Sequence, residues 1–233
     1  MRDLRERLII ALDVSSAAAA QKIVAAVGDS ALTFKVGMQL YTAEGPQVVR
    51  DLVTSGRRVF LDLKYHDIPN TVGAAVREAA KLGVSMLTVH AAGGAKMLFA
   101  ASEAAKTVGT PPMVLAVTVL TSMDESDLIP LGVEKEIVTL VLNWGALALR
   151  SGCQGIVASA HEAADLRRKL GDGFAIVTPG VRPAGAAHGD QARIVTPAEA
   201  ISAGATYIVV GRPITDAPDP ATAAKEILAQ MKG

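Results

Sequence analysis

An Asp-x-Lys pair and a nearby lysine are the side chains of this sequence best suited to chemistry. Asp62 and Lys64 lie in one short apolar run, and Lys35 lies in the apolar run before it. Because side chains alternate faces along a strand, Asp62 and Lys64 are predicted to share an inner face, with Leu61 and Leu63 on the other. An ammonium group held among carboxylates stays charged and can donate a proton. We therefore predict a proton-transfer site here.

Two other interpretations of this cluster stay open. Opposite charges ~4 Å apart attract by ~4 kcal/mol at an effective dielectric near 20, so the cluster could be a structural ion network that closes the mouth of the fold. Alternatively, Asp62, His66 and His90 could gather a metal ion, although Lys64 would repel a dication. Asp67 follows the same run and can return a second carboxylate to the lysines.

Two later segments have the composition of an anion site. Pro179-Gly180-Val181-Arg182 follows one apolar run, and Gly211-Arg212-Pro213-Ile214-Thr215 follows the next. A glycine lets the backbone approach an oxyanion, and an arginine offers a fork of donors. Barrel enzymes commonly hold a phosphate with the loops after strands seven and eight, so a phosphorylated ligand is predicted.

Eight apolar runs alternate with helical segments and predict a parallel sheet. The predicted strands are Leu8–Asp13, Leu32–Gly37, Val59–Lys64, Met86–His90, Met113–Val119, Gly155–Ser159, Phe174–Thr178 and Tyr207–Gly211. One long helix is predicted from Gln39 to Ser55. A doubly wound open sheet is the alternative, but polar residues end nearly every strand, which favours a TIM (β/α)8 barrel with its site on that rim. We predict one such domain over residues 1–233.

Composition narrows the class of protein further. Half of the 233 residues are hydrophobic and only 3% are aromatic, so the core must be aliphatic. Lys plus Arg and Asp plus Glu both total 23, which argues against nucleic acid as the main partner. Cys153 is the sole cysteine, and we interpret it as a buried thiol. No signal peptide or membrane-spanning run is evident, so a cytoplasmic protein without a membrane partner is expected.

The segment from residue 62 to residue 71 carries a family resemblance. Its sequence, DLKYHDIPNT, resembles the D-x-K-x-x-D-I-P-N-T signature of the orotidine 5′-monophosphate decarboxylases. The likeness continues along nearly the whole chain, through Ala11-Leu12-Asp13, Phe34-Lys35-Val36-Gly37, Val89–Gly94, Leu120-Thr121-Ser122, Thr178–Arg182, Asp190-Gln191 and Val210–Thr215.

The resemblance implies a reaction and a mechanism. It implies decarboxylation of orotidine 5′-monophosphate to UMP, the last step of de novo UMP synthesis, in a homodimer without a cofactor or metal. Lys64 would donate the proton to C6 within a network of Lys35, Asp62, Lys64 and Asp67. The partner subunit would supply Asp67, Ile68 and Thr71.

The resemblance also implies a set of substrate-binding residues. Asp13 and Lys35 would bind the ribose hydroxyls, and Thr121 and Ser122 would contact the pyrimidine edge. The phosphate would be bound by Gln191, Gly211 and Arg212, with Arg182 nearby. The whole motif would line the substrate site, that is Asp62, Leu63, Lys64, Tyr65, His66, Asp67, Ile68, Pro69, Asn70 and Thr71. Metal-dependent sugar-phosphate decarboxylases, aldolases or epimerases share part of this motif and remain the enzymatic alternative. The non-enzymatic alternative is a barrel without activity that only binds nucleotides or partner proteins.

Overall fold

Eight parallel strands close into a barrel in chain order in the computed structural model, which describes residues 3–183 and 195–232. The strands are β1 Leu8–Ala11, β2 Thr33–Gly37, β3 Arg58–Tyr65, β4 Met86–His90, β5 Met113–Val117, β6 Gly155–Val157, β7 Ala175–Thr178 and β8 Tyr207–Val210. The predicted (β/α)8 barrel is confirmed. Several strands are one or two residues shorter than predicted, so Asp13 lies in the loop after β1, while Arg182 follows β7 and Arg212 begins the short helix after β8.

Helices connect the strands and cover the barrel. They are α1 Leu4–Arg7, α2 Ala17–Val27, α3 Met38–Glu44, α4 Gln47–Thr54, α5 Pro69–Lys81, α6 Gly94–Ala105, α7 Glu125–Leu128, α8 Ile137–Arg150, α9 Ala160–Leu170, α10 Pro197–Ser202, α11 Arg212–Thr215 and α12 Pro220–Gln230, with 3-10 turns at Gly28–Ser30, Ala91–Gly93 and Ile129–Leu131. Side-chain caps begin α2, α9 and α12: the side chains of Ser16, Ser159 and Asp219 accept from the amides of Ala19, His161 and Thr222. In the described ranges no helix combines the length and apolarity that crossing a bilayer requires.

The prediction of one helix from Gln39 to Ser55 was wrong. The chain forms α3 and α4 instead, separated by Gly45 and Pro46. Gly45 ends α3 with a φ of 66°, a conformation that favours glycine. Pro46 has no amide proton to donate to the preceding turn, so the helix restarts after it.

Alternation along the strands divides the core into two layers. Ile9, Phe60, Met86, Leu115 and Val177 belong to a cluster inside the barrel, and their neighbours along the strands pack outward against the helices. Cys153 lies in the outer layer, where burial raises the pKa of its thiol to about 12. The predicted buried thiol is therefore confirmed. The inner cluster lies below the cavity that opens at the carboxyl ends of the strands.

Candidate active site

A cavity of about 590 Å³ opens at the carboxyl ends of the strands. That volume suits a nucleotide-sized ligand. Its floor is apolar, formed by inward-facing strand residues such as Phe60, Val117 and Val209. Its polar lining comprises Asp13, Lys35, Asp62, Lys64, Thr121, Arg182, Arg212, Thr215 and Asp216. Seven of these nine side chains were predicted as site residues, and the structure brings those seven together.

The charges along one wall alternate in sign. Lys35 Nζ lies 2.7 Å from Asp13 Oδ1 and 3.9 Å from Asp62 Oδ2. Lys64 Nζ lies 3.0 Å from both carboxylate oxygens of Asp62. Each lysine thus has a carboxylate partner, and Asp62 lies between the two lysines. The order is Asp13, Lys35, Asp62, Lys64.

Burial differs along this chain of charges. The side chains of Lys35 and Asp62 are 11% and 13% exposed, whereas that of Lys64 is 28% exposed. Ion pairs removed from water this far hold their geometry more firmly than surface pairs. Lys64 is the more accessible cation and faces the cavity, so its ammonium group is the one placed to meet a ligand.

A glycine makes room for the first ion pair. A Cβ atom on Gly37, the last residue of β2, would lie 2.9 Å from Lys35 Nζ and 3.2 Å from Asp13 Oδ1. Any larger residue there would push the ammonium group away from its carboxylate. The Phe-Lys-Val-Gly sequence of β2 therefore combines a charged residue with the space that it needs.

Asp62 and Lys64 do lie on one face, but strict alternation is not the reason. Leu61 pairs with Leu87 and Tyr65 with Val89, so β3 contains a bulge between them. Within the bulge Lys64 has a φ of 51°, and it is the one non-glycine residue with positive φ in the part of the chain that the structure describes. Bulges re-aim side chains and are common next to active sites. The bulge directs the Lys64 ammonium group back over the Asp62 carboxylate.

Two arginines face the cavity on its opposite side. Arg182 follows β7 and Arg212 begins α11 after β8. Arg182 is only 9% exposed. The pKa of its guanidinium is lowered mainly by this burial and further by the positive charge of Arg212. A bound phosphate would offset both unfavourable effects, because it would pair with the two cations at once. Gly211 also lines the cavity there, so residues of both segments predicted to bind an anion meet on this side.

The rest of the predicted set lies away from this cavity. Leu63 and Tyr65 pack against the outer core layer, and burial raises the pKa of Tyr65 to about 12. His66, Asp67, Ile68, Asn70, Thr71 and Ser122 are exposed and Pro69 is half-buried. Asp67 Oδ1 accepts from the neighbouring Ile68 amide at 2.6 Å. Gln191 is outside the described residues, so its predicted role stays a prediction.

The two motif histidines stack on each other. The centroids of the His66 and His90 rings are 5.2 Å apart, with 15° between the ring planes, and Trp144 contacts His90 edge-on at 6.1 Å. The pKa of His90 is lowered mainly by burial and further by the charges of His66 and Lys64. The Nδ1 atom of His90 accepts a hydrogen bond from the Ala92 amide.

Over residues 3–183 and 195–232, the structure forms no group of three or more His, Cys, Asp or Glu side chains able to hold a metal ion.

Two polar side chains of the cavity lining were missed by sequence reasoning. Thr215 and Asp216 reach the cavity beside Arg212, and the Thr215 hydroxyl donates to Asp216 Oδ1 at 3.0 Å. Thr215 was visible as part of a motif, but no role was assigned to it. Asp216 follows the motif and carries no pattern of its own, so its position could come only from the fold.

The sequence and the fold both have close relatives. Residues 6–227 match the model of the orotidine 5′-phosphate decarboxylase / HUMPS family. The chain is 50% identical to the orotidine 5′-phosphate decarboxylase of Moorella thermoacetica, covering 98% of this chain and 93% of that protein. It is 53% identical to the orotidine 5′-phosphate decarboxylase of Anaeromyxobacter sp. (strain K), covering 97% of this chain and 98% of that protein.

A solved structure agrees with these matches. The crystal structure of orotidine 5′-phosphate decarboxylase from Lactobacillus acidophilus superposes with a TM-score of 0.88 at 37% identity, covering 98% of this chain and all of that one. The family resemblance carried by residues 62–71 is thereby confirmed along the whole described barrel. By its sequence, its barrel and the residues at the barrel's mouth, this chain belongs to the orotidine 5′-phosphate decarboxylase / HUMPS family.

Proposed function

We propose that this protein decarboxylates orotidine 5′-monophosphate to UMP and CO2, the last step of de novo UMP synthesis, without a cofactor. The observation that carries the proposal is the position of the Lys64 ammonium group, 3.0 Å from Asp62, at a cavity whose opposite side holds Arg182 and Arg212. One side suits a phosphate and the other suits a reacting centre that gains negative charge. The names of the relatives support the same substrate.

The chemistry needs a cation at the carbon that loses CO2. When the bond between C6 and the carboxylate breaks, its electron pair stays on C6 in the plane of the ring, where the π system delocalises it little. A fixed ammonium group stabilises that developing charge and costs no reorganisation at the moment of reaction. Lys64 then transfers a proton from Nζ to C6, which forms UMP, and the neutral amine regains a proton from solvent.

The neighbouring charges have separate tasks in this proposal. Asp62 holds Lys64 in place and faces the carboxylate that leaves as CO2. Lys35 and Asp13 contact each other at 2.7 Å beside the space left for the ribose and would bind its hydroxyls. Thr121 would hydrogen-bond to the edge of the pyrimidine. Ser122 would also contact this edge after movement of its loop. Gly211, Arg212, Arg182 and Gln191 would hold the phosphate.

An activity assay tests the substrate and the independence from metal together. Purified protein treated with EDTA is expected to convert orotidine 5′-monophosphate to UMP at the rate of untreated protein, because the reaction changes no redox state and Lys64 stabilises the charge. Ultraviolet absorbance follows the loss of the orotate chromophore. Activity that EDTA removes and a divalent metal restores would favour the sugar-phosphate group of enzymes instead, and no turnover at all would favour a binding barrel.

The motif residues outside the cavity support a homodimeric site. Asp67 is exposed and Ile68 is 65% exposed at the start of α5, although the motif that they belong to also supplies Asp62 and Lys64. An apolar side chain this exposed beside a charged motif suits a surface covered by a second copy. We propose that Asp67, Ile68 and Thr71 of each subunit complete the site of its partner, and that the dimer acts in the cytoplasm.

Mixing two inactive variants tests whether Asp67 acts across an interface. Lys64→Ala and Asp67→Ala are each expected to lose most activity. After subunit exchange, about a quarter of the sites should combine a native Lys64 with a native Asp67 and recover activity, since half of the dimers are mixed and each has one such site. Recovery is measured as kcat per site, with tagged heterodimers purified to verify exchange. If verified heterodimers show no gain, Asp67 acts in its own subunit.

A further inference from the structure

We infer that Thr88 is a positioning residue for the decarboxylation: its buried hydroxyl fixes both the backbone of Lys64 and the carboxylate of Asp62. The inference rests on the proposed function for its kinetic consequences, and on the geometry of β3 and β4 for its structural ones. Thr88 lies in the middle of β4 and is completely buried. It does not line the cavity, so any effect on the reaction must pass through other residues.

The bulge in β3 places three residues opposite Thr88. Leu61 pairs with Leu87 and Tyr65 with Val89, so Asp62, Leu63 and Lys64 all lie across from this single residue of β4. A regular parallel ladder would place one residue there. The two additional residues interrupt the ladder, and the Lys64 amide therefore needs an acceptor from outside it.

The Thr88 hydroxyl supplies that acceptor and a donor as well. Its oxygen accepts from the Lys64 amide at 2.9 Å, and its proton points to Asp62 Oδ1 at 3.0 Å. A hydroxyl can make both bonds at once because it has one proton and two lone pairs. The same Asp62 oxygen also accepts from Lys64 Nζ at 3.0 Å. Backbone, carboxylate and ammonium group are thus joined in one closed set of hydrogen bonds.

The conformation of Lys64 makes this support necessary. Its φ of 51° lies in the left-handed region, which is sterically strained for a non-glycine residue. Such a conformation persists only where its surroundings hold it. Without the hydroxyl, the partly buried Lys64 amide would lose its acceptor, and the backbone could relax to negative φ. The ammonium group would then leave its position over Asp62.

Three variants separate positioning from simple stability. Thr88→Val keeps the shape of the side chain and removes the hydroxyl, whereas Thr88→Ser keeps the hydroxyl. Thr33→Val is the matched control, because Thr33 is equally buried at the other end of the barrel and its hydroxyl donates to the Glu6 carbonyl at 3.2 Å. All three change a buried threonine, but only Thr88 contacts the charged residues.

The expected result is a lower kcat with a nearly unchanged KM. Thr88→Val should lower kcat ~30-fold with KM changed less than ~3-fold, because the transition state depends on the placement of Lys64 more than substrate binding does. Thr88→Ser should return kcat to within ~3-fold of the native value, and Thr33→Val should lower Tm without lowering kcat. A kcat of Thr88→Val within ~2-fold of native, or a Thr88→Ser variant as slow as Thr88→Val, would overturn the inference.

A crystal structure of Thr88→Val gives a second readout that does not depend on turnover. We expect Lys64 to leave its positive φ or its ammonium group to leave the Asp62 carboxylate. An unchanged Lys64 in that crystal would also overturn the inference. Failure of the native protein to turn over orotidine 5′-monophosphate would instead count against the proposed function, and the position of Lys64 in the crystal would still decide the role of Thr88.

Discussion

Lys64→Ala is expected to lower kcat for orotidine 5′-monophosphate by at least ~1000-fold, a rise of ~4 kcal/mol in the activation barrier. In the proposed mechanism, the variant loses both the cation that stabilises the anion at C6 and the proton that converts this anion to UMP. It leaves the barrel intact, because the Lys64 side chain faces the cavity and contributes no apolar packing to the inner cluster. Steady-state kinetics with the absorbance assay measures the loss.

Two controls make this result specific. Circular dichroism and thermal unfolding should show a folded barrel, since an unfolded variant would also be inactive. Lys169→Ala removes an exposed lysine from α9, far from the cavity lining, and should keep native kcat. Near-native turnover by folded Lys64→Ala would exclude Lys64 as the proton donor.

Arg212→Ala is expected to lower kcat/KM for orotidine 5′-monophosphate ~100- to 1000-fold. Arg212 is exposed in the structure, but the bound nucleotide would cover its charge pair with the phosphate, and truncation of one partner of a covered pair costs ~2–5 kcal/mol. Much of this loss should appear in KM, as the phosphate is remote from the carbon that reacts. A smaller loss in kcat is also expected, since phosphate binding would drive closure of loops over the cavity.

A substrate without phosphate provides the decisive control for Arg212. The nucleoside orotidine offers no dianion, so native protein and Arg212→Ala should process it at similar, low kcat/KM. Arg50→Ala, which removes an exposed arginine from α4, should match the native protein with both substrates. An equal loss with orotidine and its phosphate would mean that Arg212 acts elsewhere than at the phosphate.

The barrel and most of its charged rim could be predicted because both depend on local patterns. Short aliphatic runs mark buried parallel strands, and polar residues at their carboxyl ends mark the rim. Lys35 points inward between Phe34 and Val36, which pack outward, as alternation predicts. The prediction of one long helix after β2 failed because the break at Gly45 and Pro46 outweighed the helical periodicity on either side.

The finer geometry of the site depends on contacts between strands, which no single segment reveals. The bulge in β3 is defined by its pairing with Leu87 and Val89, and the sequence DLK reads equally well as a regular strand. The position of Thr88 opposite the bulge also depends on the pairing of β3 with β4. Nothing in the sequence of Met86–His90 distinguishes Thr88 from its neighbours. Asp216 likewise reaches the cavity only because α11 turns it there.

The central claim is that an ammonium group fixed by acidic neighbours meets the ring carbon that loses CO2. A crystal structure with bound UMP tests it most directly, through the distance from Lys64 Nζ to C6 of the pyrimidine. We expect ~3–3.5 Å, the separation of reacting atoms in a productive complex, with the phosphate on Arg212. A Lys64 side chain turned to solvent, with another group or none against C6, would contradict the account.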